Sequence, residues 1–64
     1  MANPQEIEET LKTIKIAWQK VPELRLCQLL SNSAMIAGWP ELDLFYINDD
    51  KIRLGLKEFI KGNY

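Results

Sequence analysis

The sequence predicts a mainly α fold: a compact three-helix domain, with an irregular or extended aromatic segment at about 38–48 between helices 2 and 3. Three observations carry that prediction. Apolar residues recur at helical spacing in the first, second and last thirds of the chain. Asn3–Pro4 and the Asn48–Asp49–Asp50 run stand where helix starts need capping groups. Gly38 and Pro40 break the helical rhythm between them.

The first helix opens at Asn3, with Pro4 at its first position and Glu6 three residues past the cap, as in a capping box. Ile7, Leu11, Ile14 and Trp18 follow at intervals of four, three and four, so they form one stripe, expected to be the core face. Glu8 and Lys12 are spaced as an outward ion pair. Ile16 lies on roughly the opposite side from Ile7 at ~100° per residue. Pro22, in "VPEL", marks a short corner to the second helix. There Leu26, Leu30 and Ala34 make an apolar arc flanked by Cys27 and Leu29. Arg25, Gln28 and Asn32 line a polar edge.

From Met35 to Asn48 the rhythm fails. "AGWPELD" is a bend carrying Trp39, and "LFYI" (Leu44 to Ile47) is rich in β-formers, expected as an extended strap on the helices with short pairing to a second copy as an option. Asn48, Asp49 or Asp50 caps the third helix. Its buried face is Ile52, Leu56, Phe59 and Ile60; Lys57 and Lys61 suit its last turn, and Gly62 can end it. Leu54 points away from that stripe.

Residues 1–64 are expected to form one small helical domain. A chain of this size leaves much surface uncovered and usually needs disulfides, a metal, a tight core or a second subunit. One Cys and no His remove an internal disulfide and the zinc sets built from those residues. Compactness or self-association remains. The formal net charge of -1 speaks against a general grip on nucleic acid. No apolar run approaches the ~20 residues that span a bilayer. The acidic, polar start is unlike a secretory signal, so a cytoplasmic setting is expected.

"W-Q-K-V-P-E-L-R-L-C-Q-L-L-S-N" followed by "D-L-F-Y-I-N-D-D-K-I" resembles a family of short, mostly uncharacterised bacterial and phage proteins. Their pattern runs W-x(3)-P-x(2)-R-L-G-Q-L-x(2)-N, then an acidic residue and F-Y-I-E-D. Trp18, Pro22, Arg25, Leu26, Gln28, Leu29, Asn32, Asp43, Phe45, Tyr46, Ile47 and Asp49 fall on it. Cys27 stands where Gly is usual, and Asn48 where Glu is usual. The resemblance implies a bacterial or phage setting and no particular activity. The usual glycine at 27 implies a close helix contact in relatives.

Several candidate residues follow. Arg25, Gln28 and Asn32 offer a donor fork and two amides, suited to a carboxylate, a phosphate-bearing nucleotide or a loop backbone. The favoured role is to clamp the following segment, with Arg25 paired to Asp43, Asp49 or Asp50. A subunit contact and a ligand site are the alternatives. Trp39 and Tyr46 suit a core lid or an interface better than a base stack. Arg25, Gln28, Asn32, Trp39 and Tyr46 are the binding candidates; Ile16, Trp39, Phe45 and Leu54 are the interface candidates.

"NDD" lacks the spacing of a calcium loop and reads as a helix cap. Cys27 has no His to act as its base and is expected to be a small buried hydrophobe. A helix-turn-helix reading is disfavoured because the second helix offers Arg25 as its one positive charge, with Glu23 just before it. Neither catalysis nor a metal or other cofactor is expected. The leading function is a non-enzymatic, homo-oligomeric interaction or regulatory protein. The alternative is a small-ligand, nucleotide-type binder, such as a phage-type sponge, with its pocket at a subunit junction.

Overall fold

A computed structural model describes residues 2–39 and 43–62. They form α1 (Pro4–Lys20), α2 (Leu26–Ile36), a single 3-10 turn (Leu44–Tyr46) and α3 (Asp49–Lys61), with no strand among the described residues. The three-helix domain is therefore mainly α, as the periodicity predicts.

The helix ends are set by local chemistry. Asn3 Oδ1 accepts from the Glu6 amide at 2.8 Å, with Pro4 at the first position. Asn48 Oδ1 accepts from the Lys51 amide at 2.8 Å, which settles the capping role of the "NDD" run. Gly62 closes α3 at φ 78°, the left-handed region that favours glycine.

The corner after α1 is tied by a side chain. Trp18 Nε1 donates to the Leu24 carbonyl at 2.8 Å, and the Leu24 amide turns back onto Val21 O at 3.0 Å. Gly38 at φ +86° ends α2, and the Trp39 amide returns to Ala34 O at 2.9 Å. Pro40, expected to share in that bend, lies outside the described residues.

The core sits where α3 meets both other helices. Ala17, Leu29, Leu56 and Phe59 are its buried apolar members; Ile14, Ile36, Ile52 and Ile60 pack around them. α3 contacts α2 most extensively and α1 next, whereas α1 and α2 barely touch. The α2–α3 crossing is close because Gly55 has no side chain. A Cβ there would stand 1.9 Å from the Ser33 carbonyl oxygen and 3.3 Å from Ala37 Cβ. Ser33 and Ala34 are small and buried on the α2 side.

Polar side chains hold α1 to α3. Arg53, 8% exposed, donates to Thr10 Oγ1 at 2.8 Å and pairs with Asp50. Thr10 passes the chain on to Glu6 O at 2.8 Å. Lys57 pairs with Glu9 at 3.0 Å, and Lys20 Nζ donates to the Ile60 carbonyl at 2.7 Å. Arg53 thus buries its stem and satisfies part of its donor fork at the helix seam.

Three expectations need correction. The α1 stripe is not the core face: Ile7 is 48% exposed, Leu11 57% and Trp18 36%, while Thr13 and Ala17 are buried. Only Ile14 of the four is partly covered by the core. Small residues face inward because they let α1 approach α3. On α2 the buried face is likewise turned: Leu29 is at 0% and Leu26 at 38% exposure. The "LFYI" segment is not an extended strap, because the Asp43 carboxylate takes the Phe45 amide at 2.9 Å and starts a 3-10 turn.

Candidate functional site

The polar edge of α2 does not converge on the loop. Arg25 is the N-cap residue of α2, but its guanidinium has no acceptor with which to cap. Gln28 performs that task from the third position, its Oε1 accepting from the Arg25 amide at 2.9 Å. Arg25 has no ion pair among the described residues, so the expected pairing with Asp43, Asp49 or Asp50 is replaced. Asp50 pairs with Arg53 instead, and Asp43 caps the 3-10 turn. Asn32 is exposed and lies in a shallow recess with Met35, Ile36 and Phe59. Cys27 is exposed, which overturns its expected burial: it sits on the outer side of the helix, away from Leu29.

The aromatic segment divides. Trp39 is half-buried and its Nε1 donates to the Asp43 carbonyl at 3.1 Å, so it braces the loop. Phe45 and Tyr46 are 83% and 70% exposed, their rings edge-to-face with centroids 5.0 Å apart. The pair therefore covers part of its own apolar surface while leaving most of it in water. Ile16 and Leu54 are exposed as expected; Leu54 lies off the buried face of α3, whereas Ile16 is no more exposed than the α1 stripe itself.

A larger concave feature than the Asn32 recess lies elsewhere, on α1. An open groove of about 400 Å³ is lined by Leu11, Ile14, Lys15, Trp18, Gln19 and Pro22. A smaller recess of about 180 Å³ continues toward the helix start past Ile7, Thr10 and Leu11 to Asp49. Leu11 belongs to both, so the uncovered apolar stripe runs nearly the length of α1. Its wall is apolar, with Lys15 as the one cation in the larger groove. The Trp18 indole is fixed there by its bond to Leu24, which keeps the ring face presented rather than swinging.

Among the described residues no three His, Cys, Asp or Glu side chains gather to hold a metal. Glu9, with its carboxyl held below the usual glutamate range by the hydrogen bond and charge of Lys57, serves the α1–α3 ion pair. No helix is long and apolar enough to cross a membrane among the described residues.

Spacing alone does not distinguish the α1 groove from a buried face, because an amphipathic stripe has the same period whether or not the rest of the chain covers it. The signal was available in Thr10, Thr13 and Ala17, a second, smaller-residue face beside the stripe at ~100° per residue. No family model, no curated protein and no solved structure matches the chain.

Proposed function

We propose that this is a non-enzymatic interaction protein that works as a homo-oligomer, using the outer face of α1 as its contact surface. The observation that carries the reading is the exposure of Ile7, Leu11 and Trp18 in a single stripe beside a partly covered Ile14. Scattered exposed apolar residues are ordinary, but a contiguous stripe with a groove beside it marks a binding surface. Phe45, Tyr46, Ile16 and Leu54 add further exposed apolar area. The setting in this reading is the cytoplasm of a bacterium or a phage-infected cell, and it follows only from the resemblance of the Trp18–Asp49 pattern to short bacterial and phage proteins.

Light scattering on the purified chain, from micromolar to millimolar concentration, tests it. The reading expects mass to rise with concentration toward a defined multiple. A constant monomer mass throughout would refute self-association.

The second reading, a nucleotide-type ligand bound at a subunit junction, is supported by Arg25, Asn32 and Tyr46 being exposed. It is weakened by Gln28 being engaged in capping and Trp39 in bracing the loop. Thermal-shift measurements with nucleotides expect a raised midpoint for at least one; no shift with any would retire it.

A further inference from the structure

The α1 stripe has a spacing that admits a second copy of itself, and the charges beside it favour that occupant. Ile7, Leu11, Ile14 and Trp18 are spaced four, three and four apart, so their spacing, though not their identity, is the same from either end. In heptad terms the order is d, a, d, a. When two such helices pack antiparallel, a positions of one face d positions of the other.

A twofold axis crossing α1 between Lys12 and Thr13 sets Ile7 against the partner's Trp18 and Leu11 against the partner's Ile14. Each layer then sets a β-branched isoleucine against a residue unbranched at Cβ, Trp18 or Leu11. An isologous contact needs one patch that is complementary to itself; in this register every stripe position faces another stripe position.

The flanking charges give an independent argument. On one flank of the stripe α1 packs through Thr10 and Ala17 toward its own core, so that side is occupied. The open flank carries Glu8 and Lys15, both exposed and neither in an ion pair among the described residues. These are successive e positions, and antiparallel pairing brings e beside e. Glu8 of each copy meets the partner's Lys15, making two opposite-charge pairs. A parallel arrangement has no such pairing across this flank.

The contact covers twelve residues, ~18 Å of helix. An interface built on so short a stretch of one helix falls at the small end of specific protein–protein contacts. The expected dimer is therefore weak and concentration-dependent.

Resting on the self-associating reading above, we propose that α1 pairs with α1 of a second copy in antiparallel, twofold fashion through Ile7, Leu11, Ile14 and Trp18, with Glu8 facing the partner's Lys15.

Sedimentation equilibrium at low salt on four variants and the parent chain tests this, with circular dichroism confirming that each remains helical. All three substituted side chains, Glu8, Leu11 and Lys15, are exposed. The parent is expected to fit a monomer–dimer equilibrium. Leu11→Lys should abolish the dimer. Glu8→Lys and Lys15→Glu should each weaken it by roughly fivefold, and the double swap should recover the parent affinity within about twofold.

A parent that stays monomeric throughout overturns both this pairing and the self-associating reading. Association that survives Leu11→Lys overturns the pairing alone and leaves that reading standing. Association to a defined mass other than a dimer overturns the twofold. Abolition by Leu11→Lys without rescue by the double swap overturns the antiparallel orientation.

Discussion

The α2–α3 crossing and the outer face of α1 use opposite materials. At the crossing, Gly55 faces Ser33 and Ala37, and the two backbones approach until no side chain fits between them. On α1, Leu11 and Trp18 line an open groove and keep 57% and 36% of their surface exposed. The difference teaches where this small domain puts its interior. Its helices are drawn together by small residues, while much of its large apolar surface is left facing outward. Close approach builds a dense core from few residues, at the cost of leaving large ones without a place in it.

The sharpest way to break that contrast is at the crossing. Gly55→Ala puts a methyl into the Ser33 carbonyl, a backbone group that cannot swing aside, so α2 and α3 must separate. We expect destabilisation of about 3 kcal/mol, a large fraction of the stability of a chain this short. Urea unfolding followed by circular dichroism would measure it, and a midpoint equal to that of the parent would show that the crossing is looser than described.

A smaller effect is expected at the margin between the regions. Trp18→Phe keeps a ring in the groove but removes the indole bond to the Leu24 carbonyl. It should cost about 1 kcal/mol in the same assay, performed dilute so that association does not contribute. A loss several times larger would mean that Trp18 belongs to the core after all.

The smallest effect concerns pH. The Lys57 ammonium lowers the pKa of Glu9, so the folded state favours the ionised carboxylate more than the unfolded chain does. The stabilisation is present above the ordinary glutamate range and is lost as pH falls through the lowered folded value. Because both groups are exposed, the effect should be slight and screened by salt. Lys57→Met should flatten that part of the stability–pH curve; an unchanged curve would assign the acid sensitivity to other carboxylates.

Helix ends were legible in the sequence because they depend on neighbours three or four residues away. Asn3, Asn48 and Gly62 act at the sites their residue types imply. The α3 stripe was legible too, since α3 is covered by both other helices and nearly all its apolar arc is used. α1 was not, because periodicity finds an apolar arc without saying how much of it the rest of the chain can reach. With only α3 in extensive contact, α1 buries Thr13 and Ala17 and leaves the larger residues out.

The same limit explains α2, where Leu29 rather than Leu26 is buried and Cys27 is exposed. Arg53 lies three residues before Leu56, inside the buried arc, but its charge disguised its position. Of the polar edge, Gln28 could not be assigned from type alone: an amide that caps its own helix has the same spacing as one that holds a ligand. The "LFYI" segment followed the carboxylate of Asp43, a local bond that outweighed β propensity.

The central claim, that the stripe on α1 is a contact surface and not a neglected part of the core, is most directly tested by following NMR resonances during dilution. The side-chain signals of Ile7, Leu11, Ile14 and Trp18 should shift progressively with concentration, while those of Leu29 and Leu56 stay fixed. Stripe signals that stay constant from micromolar to millimolar, or shifts centred on Leu29 and Leu56, would contradict it.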